Sequence, residues 1–219
     1  MNIESERSIM NGILFDLDGT LWDSSAYVTA SWNQILKKYG RREITVSDMR
    51  SYMGKTMEAI AELMMPDEEK DTRAAIFQEC CDHEVAYLRD HGGILFDNLE
   101  ATLKKLQKEY ALFIVSNCQV GYIEAFLHYH QLGQYFTDTE NYGRTGKGKG
   151  ENIRLVVKRN HLEKAVYVGD VQGDLDSADE AGIPFIHAAY GFGTVNRAVP
   201  AVKDITELPD CVFQLFKNS

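Results

Sequence analysis

The stretch Ile13-Leu14-Phe15-Asp16-Leu17-Asp18-Gly19-Thr20-Leu21 places two carboxylates directly after a short apolar run. Such a run followed by a polar turn is typical of a buried strand that delivers its last side chains to the edge of a sheet. In an open α/β sheet, ligands bind in the crevice beyond the carboxyl ends of the strands. Two neighbouring acids repel each other unless a cation or a proton lies between them, so the pair predicts a binding site. This stretch alone leaves open a solvated acidic turn without function.

The composition is that of a globular protein with a substantial core. The chain has 219 residues, of which 44% are hydrophobic and 26% charged, and it suits one large domain or a core domain with an insertion. A net charge of -10 opposes binding to nucleic acid or to an anionic membrane surface. No apolar run approaches the roughly 18 residues of a membrane span. Cys80, Cys81, Cys118 and Cys211 lack metal-site spacing, which fits reduced thiols and a cytoplasmic protein.

Residues 24–90 carry helical periodicity and no strand pattern. Ser24 and Ser25 are suited to cap a helix that runs to about Tyr39. Further helices are predicted over Thr45–Tyr52, Thr56–Met65 and Asp67–Arg89. A connection between parallel strands normally takes a few tens of residues, so this longer helical stretch predicts an insertion over the sheet edge. We expect a core domain over 1–22 and 91–219, and an all-helical cap domain over 23–90.

From Leu99 onward, strands alternate with helices, which predicts a Rossmann-like α/β fold with a parallel sheet covered on both faces. Strands are predicted at Leu112–Ser116, near Tyr135–Asp138, at Ala165–Val168 and at Pro184–Ala188. Two of these strands end in polar groups: the first in Ser116-Asn117, the third in the stretch that contains Asp170 and Asp174. Ser-Asn is also a common turn signal, and Asp174 is also suited to cap the next helix.

A basic, glycine-rich loop over 143–150 precedes another predicted helix. Its spacing approaches that of a nucleotide-binding P-loop, but Gly150 stands where that motif needs Ser or Thr. A loop that offers the cation of Lys149 at a helix N-terminus fits better, and a solvated basic turn stays open.

The strand ends together predict one crevice that holds carboxylates, a lysine and hydroxyl donors. Its members are Asp16, Asp18, Asp170, Asp174, Lys149 and Ser116. Oxygen ligands without histidine favour Mg²⁺ over Zn²⁺. A metal, a lysine and donors that face a free carboxylate are the parts that phosphoryl transfer requires.

With these residues, the chain resembles the haloacid dehalogenase superfamily of phosphotransferases over essentially its whole length. The first family motif matches residues 16–20, and the second, a Ser or Thr after a strand, matches Ser116. The third, a lysine before a helix, matches Lys149, with Lys147 as the alternative register, and the fourth matches Asp170 and Asp174. The segment 24–90 is similar to the smaller, helical type of family cap.

The resemblance implies a role for each matched residue. Asp16 would attack phosphorus, and Asp18 would act as the general acid and base. Asp16, the main-chain carbonyl of Asp18, and Asp170 would hold Mg²⁺. Asp174 would support the metal shell or orient Lys149.

Other implied contacts concern the phosphate and the leaving group. Thr20, Ser116, Asn117 and Lys149 would bind phosphoryl oxygens. In the cap, we expect Arg50 or Lys55, which flank a Met-Gly loop, to contact the leaving group.

Branches of the family differ at particular positions. Dehalogenases lack the second acid of the first motif, so Asp18 favours phosphate chemistry. Phosphomutases of this type carry a cap histidine near the position of Val28, where this chain has none. The phosphoglycolate-phosphatase-like branch is nearest, although Gly150 replaces a usual proline.

We therefore expect a Mg²⁺-dependent phosphatase, monomeric or homodimeric, that acts on a small phosphorylated metabolite. A sugar phosphomutase and a catalytically silent binding or regulatory protein are the alternatives.

Overall fold

The computed structural model describes residues 10–218. Within this range, strands β1 to β8 lie at Met10–Phe15, Trp22–Asp23, Ile94–Leu95, Ala111–Ser116, Asp138–Asn141, Leu162–Gly169, Phe185–Ala188 and Ala201–Val202. Six of them form one sheet in the order β5-β4-β1-β6-β7-β8, and every pair in it is parallel. The first strand is therefore central, with β4 and β6 as its neighbours.

Helices cover both faces of this sheet. In chain order, α1 to α10 are Ser25–Lys38, Val46–Tyr52, Met57–Met64, Lys70–His91, Leu99–Leu106, Tyr122–His130, Tyr142–Thr145, Lys149–Arg159, Gln172–Ala181 and Leu208–Lys217. Residues of α5, α6 and α10 pack on one face, and residues of α8 and α9 pack on the other. The predicted Rossmann-like α/β fold is confirmed. Among the described residues, no helix combines the length and the apolar character that a membrane crossing demands.

The central strand β1 carries apolar side chains on both faces of the sheet, so helices must cover both faces. Successive side chains of a strand point to opposite faces, so Ile13 and Phe15 join one apolar cluster while Leu14 joins the other. All three are fully buried. A continuous apolar run is the pattern expected of a parallel strand buried on both faces.

The helices α1 to α4 follow one another between β2 and β3, and residues 24–90 contain no strand. The chain leaves and re-enters the core through a short antiparallel ribbon, in which Trp22 pairs with Leu95 and Asp23 with Ile94. Trp32 of α1 and Phe77 of α4 pack edge to face inside the helical segment, with ring centroids 5.3 Å apart. This segment is thus tied to the core at a point six residues beyond Asp16.

Two short strands differ from the predictions. The strand expected near Tyr135–Asp138 begins at Asp138, where β5 pairs with β4, and a 3₁₀ turn at Gly133–Tyr135 precedes it. The β5 residues Glu140 and Asn141 are polar and buried, so hydrophobic periodicity could not reveal them. The two-residue β8 is too short to produce a pattern at all.

Candidate active site

Three adjacent strands deliver their carboxyl ends to one edge of the sheet. Asp16 follows β1, Ser116 ends β4 and Asp170 follows β6. The main-chain N–H of Asp16 donates to the carbonyl of Val168 at 2.8 Å, which continues the ladder up to the site itself. The predicted convergence of these side chains is therefore present in the structure.

Lys149 joins two of the acids from the first turn of α8. Its Nζ donates to Asp16 Oδ1 at 2.8 Å and to Asp174 Oδ1 at 2.6 Å, and all three side chains are buried. Asp174 Oδ2 accepts the main-chain N–H groups of Asp170 and Val171 at 3.0 and 3.1 Å. Asp174 thus orients the lysine and also fixes the loop that carries Asp170.

The structure also decides between the two lysine registers. Lys147 is exposed, and its Nζ lies 3.9 Å from Glu151, away from the acids. The short helix α7 occupies the first part of the glycine-rich loop, so the P-loop alternative is wrong.

Burial shifts the acid–base properties of this cluster. Burial, followed by repulsion from Asp174, raises the pKa of Asp16 to about 7 against the attraction of Lys149. Burial and the same two carboxylates, Asp174 and Asp16, raise the pKa of Asp170 to about 8. Burial alone would lower the pKa of Lys149, but its two carboxylate partners outweigh it and raise that pKa. The cluster holds more negative charge than one ammonium group offsets.

The donor set fits a hard divalent cation. Oxygen atoms of Asp16, Asp170 and Asp174 all lie within 4.8 Å of one another. Asp170 Oδ2 accepts the N–H of Phe192 at 2.7 Å, whereas its Oδ1 is buried and has no hydrogen-bond partner. Both oxygens of Asp174 already accept hydrogen bonds, so Asp16 and Asp170 are the freer ligands. Carboxylate oxygens alone, without His or Cys in the cluster, suit Mg²⁺.

The turn after Asp16 approaches Asp170 so closely that only glycine fits. Gly19 has φ +81°, and an added Cβ would overlap Asp170 Oδ2. We expect Gly19→Ala to lower the free energy of unfolding by roughly 2–4 kcal/mol, since backbone strain and steric overlap add. Gly182→Ala is the matched control, because Gly182 has φ +76° with open space around it. Urea unfolding compares the two, and equal losses would show that the contact with Asp170 costs nothing.

Asp18 lies outside the cluster of three acids and has its own partners. Its Oδ1 accepts hydrogen bonds from Ser24 Oγ at 2.6 Å and from Tyr122 Oη at 2.8 Å. Burial raises the pKa of Asp18, and these bonds oppose the rise. Ser24 occupies the predicted N-cap position of α1, but its hydroxyl makes no capping bond, because it donates to Asp18 while Asp23 accepts the N–H of Ser25. The contact inferred between the carbonyl of Asp18 and the metal stays a prediction.

A cavity of about 40 Å³ lies between this sheet edge and the helical segment. The loop around Gly54 closes one side of it, and the Asn117 amide donates to the carbonyl of Gly54 at 3.2 Å. The predicted contact of Asn117 with phosphate stays a prediction. The residues that line the cavity are Asp16, Asp18, Val28, Trp32, Met49, Met53, Gly54, Lys55, Met57, Ile60, Glu84, Ser116, Asn117, Cys118, Gln119 and Tyr122.

Of three other residues predicted to contact the substrate, one lines this cavity and two do not. Lys55 lines the cavity from an exposed position. Arg50 is not among the lining residues, because its guanidinium pairs with Asp23 at 2.6 Å. Thr20 is also absent from the lining, and its Oγ1 is buried without a hydrogen-bond partner. Their roles toward a substrate stay predictions.

Sequence reasoning missed Tyr122, Glu84 and Gln119, which line the cavity from α6, α4 and the loop after β4. For Glu84 a signal was available, since it falls four residues after Cys80 and four before Leu88 on the apolar side of α4. A charged residue in an apolar stripe marks a position that must find a polar partner.

Comparison with known proteins agrees with this geometry. A phosphoglycolate phosphatase from Aquifex aeolicus is 28% identical over 198 residues, which cover 87% of this chain and 90% of the relative. A haloacid dehalogenase-like hydrolase from Bacteroides fragilis is 25% identical and has a TM-score of 0.80, covering 91% of this chain and 99% of its own. A β-phosphoglucomutase from Clostridium difficile shares the fold at 17% identity and a TM-score of 0.74, over 96% of this chain and 98% of its own.

The family model for haloacid dehalogenase-like hydrolases matches residues 13–188, well over half of the chain. This range contains all three strand ends, the lysine and the helical segment between β2 and β3. The chain belongs to the haloacid dehalogenase-like hydrolase family and resembles its phosphoglycolate phosphatases.

Proposed function

We propose that the chain is a Mg²⁺-dependent phosphatase, which hydrolyses a small organic phosphate monoester through an aspartyl-phosphate at Asp16. The observation that carries this proposal is the setting of Asp16. Its Oδ1 accepts the bond from Lys149, while no described residue hydrogen-bonds its Oδ2, and the residue lines the cavity together with Asp18. A buried carboxylate with one fixed and one free oxygen is arranged as a nucleophile.

In the first step, Asp16 Oδ2 attacks the phosphorus atom, and the bond from phosphorus to the alcohol oxygen breaks. Asp18 gives its proton to that oxygen, and the alcohol leaves. The raised pKa of Asp18 suits this role, because a buried acid keeps its proton to higher pH than a solvated one. Ser24 and Tyr122 hold the carboxyl group in place for the transfer.

In the second step, Asp18, now ionised, accepts a proton from water, and the water oxygen attacks phosphorus. The bond from phosphorus to Asp16 Oδ2 breaks, so the carboxylate is restored and inorganic phosphate leaves. Lys149 and the hydroxyl of Ser116 would bind phosphoryl oxygens, which carry the charge throughout. Asp174 acts through Lys149 and does not need to touch the substrate.

Asp16 and Asp170 would hold Mg²⁺, with Asp174 behind them. The bound ion would supply positive charge that offsets the phosphoryl dianion and the acid cluster.

We further propose that residues 23–90 form a mobile cap over a core domain of residues 1–22 and 91–219. The short ribbon of β2 and β3 supports this proposal, because it is the point where the chain enters and leaves the helices. A cavity of about 40 Å³ holds only a few water-sized groups, so substrate entry requires the cap to move away from the core.

Hydrolysis of an aryl phosphate tests the proposed function. We expect phosphate release with Mg²⁺, and at least a hundredfold slower release in excess EDTA, because the acid cluster then lacks its cation. A protein that releases no phosphate under either condition would be a binding or regulatory protein. Interconversion of sugar phosphate isomers faster than phosphate release would identify a phosphomutase.

A further inference from the structure

Glu84 is a buried acid inside the cavity that the proposed mechanism does not use. It lies on α4, and 3% of its surface is exposed. Its Oε2 accepts the indole N–H of Trp32 at 3.0 Å and the amide of Gln119 at 2.7 Å. Its Oε1 accepts no hydrogen bond from any residue in the described range. One oxygen of a cavity-lining carboxylate is therefore available to a ligand.

The charge around Glu84 is not balanced by a nearby cation. Within residues 10–218, Glu84 makes no ion pair. Lys55 lines the same cavity, but its side chain is exposed, and solvent screens an exposed charge far more than a buried one. Burial raises the pKa of Glu84 to about 8, and repulsion from Asp18 adds to the rise, so the side chain ionises above about pH 8 or when a cationic group binds beside it.

The remaining wall of the cavity on the cap side is apolar. It consists of Val28, Trp32, Met49, Met53, Met57 and Ile60. In such surroundings a single carboxylate oxygen strongly discriminates between ligands that can donate a hydrogen bond and ligands that cannot. The small volume of the cavity favours a small leaving group once the helices have closed over the bound substrate.

We propose that Glu84 selects the leaving group, favouring a small alcohol with an ammonium or hydroxyl donor and disfavouring one with a carboxylate. This inference rests on the proposed phosphatase function. An ammonium or hydroxyl group on the leaving group would donate a hydrogen bond to Glu84 Oε1. A carboxylate on the leaving group would instead be repelled by the carboxylates of Glu84 and Asp18. Although phosphoglycolate phosphatases are among the relatives of this chain, its substrate is then an amino-alcohol or polyol phosphate.

The test compares kcat/KM for four esters of similar size in the presence of Mg²⁺ at about pH 8.5, above the pKa of about 8 that burial gives Glu84. Phosphoethanolamine carries an ammonium, glycerol 3-phosphate carries hydroxyls, 2-phosphoglycolate carries a carboxylate, and ethyl phosphate carries none of these groups. In the wild type we expect the first two to exceed 2-phosphoglycolate. Glu84→Gln should lower the ratio of phosphoethanolamine to 2-phosphoglycolate roughly tenfold to hundredfold, mainly through KM, as expected for loss of a charged hydrogen-bond partner. Ethyl phosphate should change little.

Two further variants keep the test decisive. Asp90→Asn removes the same charge from an exposed position of the same helix and should leave all four values unchanged. Glu84→Asp keeps the carboxylate and should retain the wild-type order of kcat/KM among the four esters. This variant still tests the inference if Glu84→Gln folds poorly. A wild type that prefers 2-phosphoglycolate, or a ratio that Glu84→Gln does not alter, would overturn the inference while the phosphatase function stands. Hydrolysis of an aryl phosphate but of none of the four esters would also overturn the inference and leave the phosphatase function standing.

Discussion

Asp16→Asn is expected to reduce kcat for phosphate monoester hydrolysis by about four orders of magnitude or more, because it removes the proposed nucleophile. The fold should survive, since asparagine has nearly the same shape and Lys149 can still donate to its amide oxygen. Asn at this position also removes a buried charge from a cluster in which burial already raises the pKa of Asp16 to about 7. Steady-state kinetics and thermal unfolding measure the two effects separately.

Asp210→Asn is the matched control for the nucleophile variant. Asp210 is a largely exposed acid on α10, and its nearest cation is Lys105 at 3.9 Å. We expect kcat of this variant to stay within about twofold of the wild type, as is usual for exposed positions away from a site. If Asp16→Asn kept more than about a tenth of wild-type kcat, Asp16 could not be the nucleophile.

Lys149→Met is expected to have the largest effect on stability. The ammonium of Lys149 is the partner that the buried Asp16 and Asp174 share, and breaking a buried pair by removing one member costs about 3–5 kcal/mol. Activity should also fall by roughly a hundredfold or more, because Lys149 contacts Asp16 and, in the proposed mechanism, binds the phosphoryl oxygens. Urea unfolding of the metal-free protein measures the stability loss.

The stability loss should grow with pH. A carboxyl group whose pKa is raised in the folded state destabilises the fold progressively as pH rises from its unfolded pKa to its folded pKa. In the wild type, the loss of folding stability caused by ionising Asp16 levels off above about pH 7, because the pKa of Asp16 in the folded state is about 7. Without Lys149 the pKa of Asp16 rises further, so the difference in stability between variant and wild type should widen as pH rises above about 7.

Lys147→Met provides the comparison for that variant. The exposed Lys147 lies two residues away in sequence, and its Nζ is 3.9 Å from Glu151. Removal of its charge should lower the free energy of unfolding by less than about 1 kcal/mol, and this difference from the wild type should not grow over the same pH range. Equal losses in the two lysine variants would mean that the buried pair does not stabilise the fold.

The acid and lysine positions could be predicted from the sequence because each follows or precedes a regular element. Asp16 and Asp170 come directly after apolar strands, and Lys149 opens a helix, so the rule that parallel strands share an edge brings them together. The choice of Lys149 over Lys147 also follows from its place in the first turn of α8. Such inferences need only local patterns and one topological rule.

Contacts that join distant parts of the chain could not be predicted in this way. Tyr122 reaches Asp18 across 104 residues and Gln119 reaches Glu84 across 35, and nothing in their local sequence indicates the partner. Ser24 stands at the N-cap position that its sequence predicts, but only the tertiary structure turns its hydroxyl to Asp18 and away from the helix. The residues expected to determine substrate choice are therefore those least visible in the sequence.

Direct detection of a covalent intermediate is the measurement closest to the central claim. The enzyme is mixed with Mg²⁺ and a large excess of an aryl phosphate, quenched in acid during turnover, digested, and examined by mass spectrometry. We expect the peptide that contains Asp16 to gain the mass of one phosphoryl group, and the same peptide of Asp16→Asn to gain nothing. Rapid turnover in which no quenched sample carries phosphate on Asp16, or in which phosphate is found on another residue, would contradict the account.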